Sequence, residues 1–261
     1  MATKPQHTEE LPSLKDLASS DSRLRRLAFQ QIFTNISSRT TPLTYAQCLQ
    51  LWRGLFVALY MHDSKSMISV QNLTTSLADQ FAVIAGRDAE EGTSTDGGPS
   101  QLGVFSEAFW ETMAREWSGI DVHRMNKILL LIRLVTRSLF KICLPLAEDE
   151  DGTGGRPASI RDTDEQCAIM ERWPLSLRER KVPDGLRYHV LDIWVEELEV
   201  AGGQTNVELH EKYKSIEQKF MEPVKKLAKG GLTKPVRTRA KETLAAAEEM
   251  FDYGDSEVDE T

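Results

Sequence analysis

Apolar runs in this chain are short: Leu55 to Met61 ends at His62, and Ile128 to Ile132 ends at Arg133. A bilayer span needs roughly 20 apolar residues, so none is expected here. Cysteine is scarce: Cys48, Cys143 and Cys167 lie far apart, without the short spacing of zinc or redox pairs, and read as reduced core thiols. The opening "MATKPQHTEELPSLKDL" lacks the apolar segment and cleavage site of a secretory signal, which points to the cytosolic side, the nucleus included. Catalytic signatures are missing as well. There is no glycine-rich loop ending in Lys-Ser/Thr, no HExxH pair and no G-x-S-x-G elbow, and the five histidines are scattered. Asp149, Asp151 and Thr153 begin a calcium-like loop, but its twelfth position is Ile160, where a bidentate carboxylate is required. The expectation is a protein without cofactor, metal or small-molecule substrate, and not an enzyme. Carboxylates brought together from distant positions would leave no linear motif, so that expectation rests on absence.

Strand-like alternation is also hard to find. Apolar residues instead recur at three and four positions almost everywhere, the period of amphipathic helices. With 40% hydrophobic and 28% charged residues, the 261-residue chain has the balance of a folded globular protein. Helices are expected over about Ser13 to Ala18, Ser22 to Ile36, from Thr44 through "YAQCLQLWRGLFVALYM", and over Ser66 to Ile84. Others follow over Val104 to Trp117, from Asp121 to before Pro145, over Asp164 to Arg172, Gly185 to Val200, and Asn206 to Lys229, the last with a kink at Pro223. The fold class is all-α: an irregular α-solenoid or HEAT-like helical stack with an extended charged C-terminal tail. Residues 1–10 read as a flexible N-terminus and 11–203 as the helical domain, with mobile loops over about 86–103 and 145–160. Residues 204–230 read as a C-terminal helical segment, and 231–261 as an extended tail, first basic and then acidic.

The helix after Asp121 carries a sorted surface. Ile128, Ile132, Val135, Leu139 and Ile142 share one side, and Arg133, Arg137 and Lys141 line up on the other. Leu130 and Leu134 fall beside the basic stripe, so the helix is expected to lie between neighbours. The stripe reads either as a solvated face with its aliphatic stems on the core, or as a row of phosphate or acidic-partner contacts. Trp52, Phe109, Trp110, Met113, Trp117 and Trp194 read as core, or as the lining of a partner groove.

The net charge of −8 is unevenly spread. From Lys212 to Lys241 there are ten cations against Glu217 and Glu222, and from Glu242 onward eight acids and no cation. Lys225, Lys226, Lys229, Lys234, Arg237, Arg239 and Lys241 therefore read as an import signal, a nucleic-acid strap or a solvated helix end.

Three stretches, "LWRGLFVALYMHDSK", "FWETMAREWSGIDVHRMNKILLLIRLVTRSLF" and "VPDGLRYHVLDIWVEELEVAG", with "FMEPVKKLAK" more weakly, follow one another as in the eukaryotic ribosomal RNA-processing protein 1 family, which the chain resembles over most of Leu11 to Lys229. It departs at "VALY", in a longer stretch from Gly86 to Gly103, and in a short tail. The resemblance implies an all-helical, non-enzymatic nucleolar factor on the pre-60S particle, the large-subunit precursor, required for 27S pre-rRNA maturation and internal-spacer processing. It implies WD-repeat, Brix-domain and Mak-type assembly factors as partners, with direct pre-rRNA contact an open possibility, and it implies no membrane. The competing reading is a helical peptide-binding adaptor of the VHS-like or polymerase-tail-binding kind.

Overall fold

The computed structural model describes residues 11–90, 99–144, 160–202 and 207–251. Nine α-helices occur among them, with no strand: α1 (Ser22–Ser38), α2 (Tyr45–Met61), α3 (Met67–Glu90), α4 (Gln101–Glu116), α5 (Val122–Cys143), α6 (Ile160–Arg172), α7 (Asp184–Gly202), α8 (Val207–Gly230) and α9 (Lys234–Phe251). The expected all-α stack is what forms. Consecutive odd helices pack side by side from α1 to α9, and the even helices α2, α4, α6 and α8 form a second row against them. This is the two-layer arrangement of an α-solenoid, in which each helical hairpin buries its apolar stripe against the next.

Local chemistry fixes where the helices start. Asp21 and Asp121 accept the backbone N–H groups of Arg23 and His123, and Thr44 with Gln47 forms a capping box. Ser100 caps α4 by accepting from the Gly103 amide at 2.8 Å. Glu165 on α6 reaches the same end, accepting the Ser100 amide at 3.0 Å, so a carboxylate sits at the positive end of the α4 dipole. Only glycine at 103 allows that approach, since a Cβ there would meet the Glu165 carboxyl at 2.4 Å.

Two aromatic clusters fill the space between the rows. Trp52 meets Phe105 and Phe109 at ring-centroid distances of 4.9 Å and Phe81 at 5.6 Å, joining α2, α3 and α4. Phe140 meets Trp194 at 4.9 Å and Phe220 at 4.7 Å, joining α5, α7 and α8. Truncating one of these buried rings would cost about 3–5 kcal/mol.

Two boundaries differ from the sequence pattern. The composition points to a loop over 86–103, but α3 runs to Glu90 and α4 starts at Gln101, because Leu102 and Phe105 are buried and Asp88 accepts the Leu102 amide at 2.8 Å. The second is a correction: the tail is not extended over Lys234–Phe251 but forms α9, which docks on α7 and α8. Val236, Ala240, Thr243 and Ala247 recur at helical spacing and are buried, and the Thr243 hydroxyl donates to the Leu191 carbonyl at 3.3 Å. α8 runs through Pro223, in line with the pattern over Asn206 to Lys229. Pro223 cannot donate to the Lys219 carbonyl, and the Cys167 thiol takes that place at 3.6 Å. The flexible N-terminus 1–10, residues 91–98 and 145–159 of the expected loops, and the acidic end 252–261 lie outside the described residues.

Candidate nucleic-acid interface

The cations threaded through the apolar helices serve the seams of the stack. On α5, Arg133 donates to the Glu197 carboxylate of α7 at 2.8 Å, and Arg137 donates to it twice, at 2.5 and 3.1 Å. Glu197 has no exposed surface, while each arginine keeps about a third of its side chain in water. Glu196 adds a second carboxylate to Arg133 at 2.8 Å. Over Arg133 and Arg137 the α5 stripe is thus anchored on a buried acid, with part of each side chain still in water. Lys141, one turn further, is exposed and forms no ion pair among the described residues.

A second set of cations closes helix C-termini, whose last carbonyls lack intrahelical donors. Arg87 on α3 donates to the Ile36 carbonyl at 2.7 Å and to that of Arg39, sealing α1. Lys127 on α5 is buried and donates to the carbonyls of Tyr60 and His62 at 2.8 and 2.7 Å, sealing α2. Burial, followed by the charge of Arg124, pushes its ammonium down to about 8. Arg187 on α7 is buried and gathers the carbonyls of Ser176, Glu179 and Val182, so the connection from α6 to α7 is wrapped around one guanidinium. Burial lowers its pKa, opposed by the charge of Asp184. Arg237 on α9 donates to the Gly231 carbonyl at 2.8 Å behind the end of α8.

The remaining candidates divide in the same way. Lys225 pairs with Glu222 at 2.8 Å and Lys226 with Glu171 at 2.5 Å, both in water. Arg239 pairs with Asp192 at 3.2 Å and with Glu242 at 3.4 Å. Lys229, Lys234 and Lys241 are exposed and form no ion pair among the described residues. Of the aromatic candidates and their neighbour Met113, Trp52, Phe109, Trp110, Met113 and Trp194 are fully buried and pack in the core. Trp117 is half-buried beneath Gly185, where a Cβ would come within 2.9 Å of the indole nitrogen.

A cluster that periodicity does not reveal is "SLRERK" on the α6–α7 connection. Arg178, Arg180 and Lys181 are exposed there and form no ion pair among the described residues. The visible signal was three cations in four residues of a connector. It belongs to no apolar stripe, so helical periodicity carries no sign of it.

Two rows of helices, joined at their seams by their own cations, define an all-α stack of the solenoid kind. No group of three or more His, Cys, Asp or Glu side chains able to hold a metal ion occurs among the described residues. The nucleolar protein family Nop52 matches residues 8–261, and the chain belongs to that family. Ribosomal RNA processing protein 1 homolog B of Homo sapiens is 27% identical over 223 residues, covering 84% of this chain and 25% of that protein. The mouse homolog B is 28% identical over 200 residues, covering 75% of this chain and 24% of that protein. Human homolog A is 25% identical over 208 residues, covering 78% of this chain and 40% of that protein. The chain thus spans between about a quarter and two fifths of the length of these relatives. The family bears out the resemblance read from the sequence and its nucleolar assignment.

Proposed function

We propose that the chain is a non-catalytic nucleolar assembly factor of the large ribosomal subunit. It binds pre-60S proteins and pre-rRNA as a helical scaffold and so promotes 27S pre-rRNA maturation and internal-spacer processing. The observation that carries this reading is the family match across the whole helical stack, from residue 8 to residue 261, with relatives named for ribosomal RNA processing. WD-repeat, Brix-domain and Mak-type assembly factors are its proposed neighbours. A stiff platform needs no bond chemistry to promote processing. By binding one arrangement of the precursor more tightly than the others, it shifts the population toward the form the nucleases cut.

Depleting the protein from its host cell tests this. Spacer-containing large-subunit precursor is expected to accumulate while small-subunit RNA matures normally. Unchanged precursor levels would overturn the proposal. So would divalent-ion-dependent RNA cleavage by the purified chain, which would make it an enzyme.

A further inference from the structure

We propose that the edge formed by the α6–α7 connection and the α8–α9 turn binds single-stranded RNA, with phosphates on Arg178, Arg180, Lys181, Lys229 and Lys234 and one base against Tyr188. This rests on the assembly-factor reading for the source of the RNA but not for the chemistry of the surface.

The two segments form one continuous edge. A Cβ on Gly230 would lie 3.6 Å from Leu177, which places Lys229 and Arg178 on the chain positions flanking that contact. At the other end the Thr233 hydroxyl donates to Asp184 at 3.1 Å, bringing Lys234 toward the segment that carries Lys181. The acids nearby are occupied. Asp184 is held by Thr233 and by Arg187 at 3.1 Å, and Glu179 folds back to accept the Lys181 amide at 2.9 Å. Glu171 and Glu222 are taken by Lys226 and Lys225. The five cations are exposed, and none forms an ion pair among the described residues. In a chain of net charge −8 this is a local positive field of the kind that attracts phosphate.

Helix electrostatics argue that these cations are not there for stability. Lys234 opens α9 and Lys181 lies just before α7, at the positive ends of both helix dipoles, where a cation is disfavoured. Along α9 the signs run basic to acidic, the reverse of what the dipole prefers. The α6–α7 connection is also built rather than slack, since the buried Arg187 guanidinium holds three of its carbonyls. Its cations are presented from a fixed frame, which lowers the ordering cost of binding.

Beside Lys234 lies a depression of about 430 Å³ lined by Tyr188, Lys234, Pro235, Thr238, Arg239 and Glu242. Tyr188 is packed against the core on one side and only partly buried. An aromatic face next to a line of cations is the pairing that single-stranded nucleic acid uses: stacking for a base, charge for the backbone. An acidic protein segment would use the cations but gain little from the ring and proline.

Fluorescence anisotropy of the full chain with a labelled single-stranded RNA of about 12 nucleotides tests the proposal, at several salt concentrations and against a duplex and a poly-glutamate peptide. Arg178→Glu, Lys181→Glu and Lys234→Glu together are expected to weaken binding at least about tenfold at low salt and to flatten the salt slope by about two, at about 0.7 per lost phosphate contact. Tyr188→Leu should weaken single-strand binding about fivefold or more with the slope unchanged, and Tyr188→Phe should restore it. Lys15→Glu with Lys65→Glu, elsewhere on the surface, should leave binding intact. Wild-type affinity and slope in the triple variant would overturn the proposal. Tighter binding of poly-glutamate than of RNA, lost in the same variant, would do so too and assign the edge to an acidic protein. RNA binding by this edge in a chain that does not copurify with large-subunit precursor would defeat the assembly role alone. Copurification with unaltered variants would defeat the edge alone.

Discussion

Removing both Arg133 and Arg137 leaves a carboxylate with no exposed surface and none of its three arginine N–H donors. Stranding a buried charge in this way costs about 3–5 kcal/mol. For a chain of this size each kcal/mol moves the melting temperature by about 2–4 °C, so Arg133→Ala with Arg137→Ala should lower Tm by roughly 6–20 °C. Arg137→Ala alone leaves Arg133 on Glu197 and should cost less, about 1.5–3 kcal/mol for the lost charged hydrogen bonds. Replacing all three charges, as Arg133→Met, Glu197→Leu and Arg137→Met, should recover most of the loss, because no charge is left buried. Thermal melts followed by tryptophan fluorescence suit the question, since Trp194 lies one turn before Glu197 on α7. A double variant melting within about 2 °C of wild type would show that the carboxylate does not depend on these arginines, and would refute the buried pairing.

Other outcomes follow from the same contacts. Lys127 has a folded pKa near 8 against 10.5 in the open chain, so between those values the unfolded state binds more protons and stability should rise with pH; Lys127→Met should remove that rise from a set of urea titrations. Ending the chain after Thr233 uncovers α7 and α8 where Val236, Ala240 and Ala247 pack, and should lower Tm and raise dye binding to apolar surface, whereas an unchanged melt would mean that α9 does not dock. Burial pushes the thiols of Cys48 and Cys167 up to about 12, so thiol reagents should label the folded chain slowly at pH 8 and quickly in denaturant.

Periodicity made the helices and their order readable, since amphipathic spacing reports the core stripe directly. The placement of Ile128, Ile132, Val135 and Leu139 on one side of α5 matches their burial, and the apolar residues beside the cations do mark a helix held between α3 and α7. What charge pattern alone could not give was the partner of each cation. Arg133 and Arg137 look like Lys141 on a helical wheel, but Glu197, sixty residues and more away, separates them from it. The basic-to-acidic run masks α9, whose mark in the sequence is Val236, Ala240, Thr243 and Ala247 at helical spacing. Arg187 gave no signal as the organiser of a loop, and without it "SLRERK" reads as an ordinary connector.

As proposed, the helical stack acts by gripping a large-subunit precursor. Affinity purification of the tagged chain from its host, with sequencing of the copurified RNA and identification of the proteins, measures that association directly. The account predicts spacer-containing large-subunit precursor RNA together with pre-60S assembly factors. Recovery of peptide ligands with no enrichment of precursor RNA would contradict it.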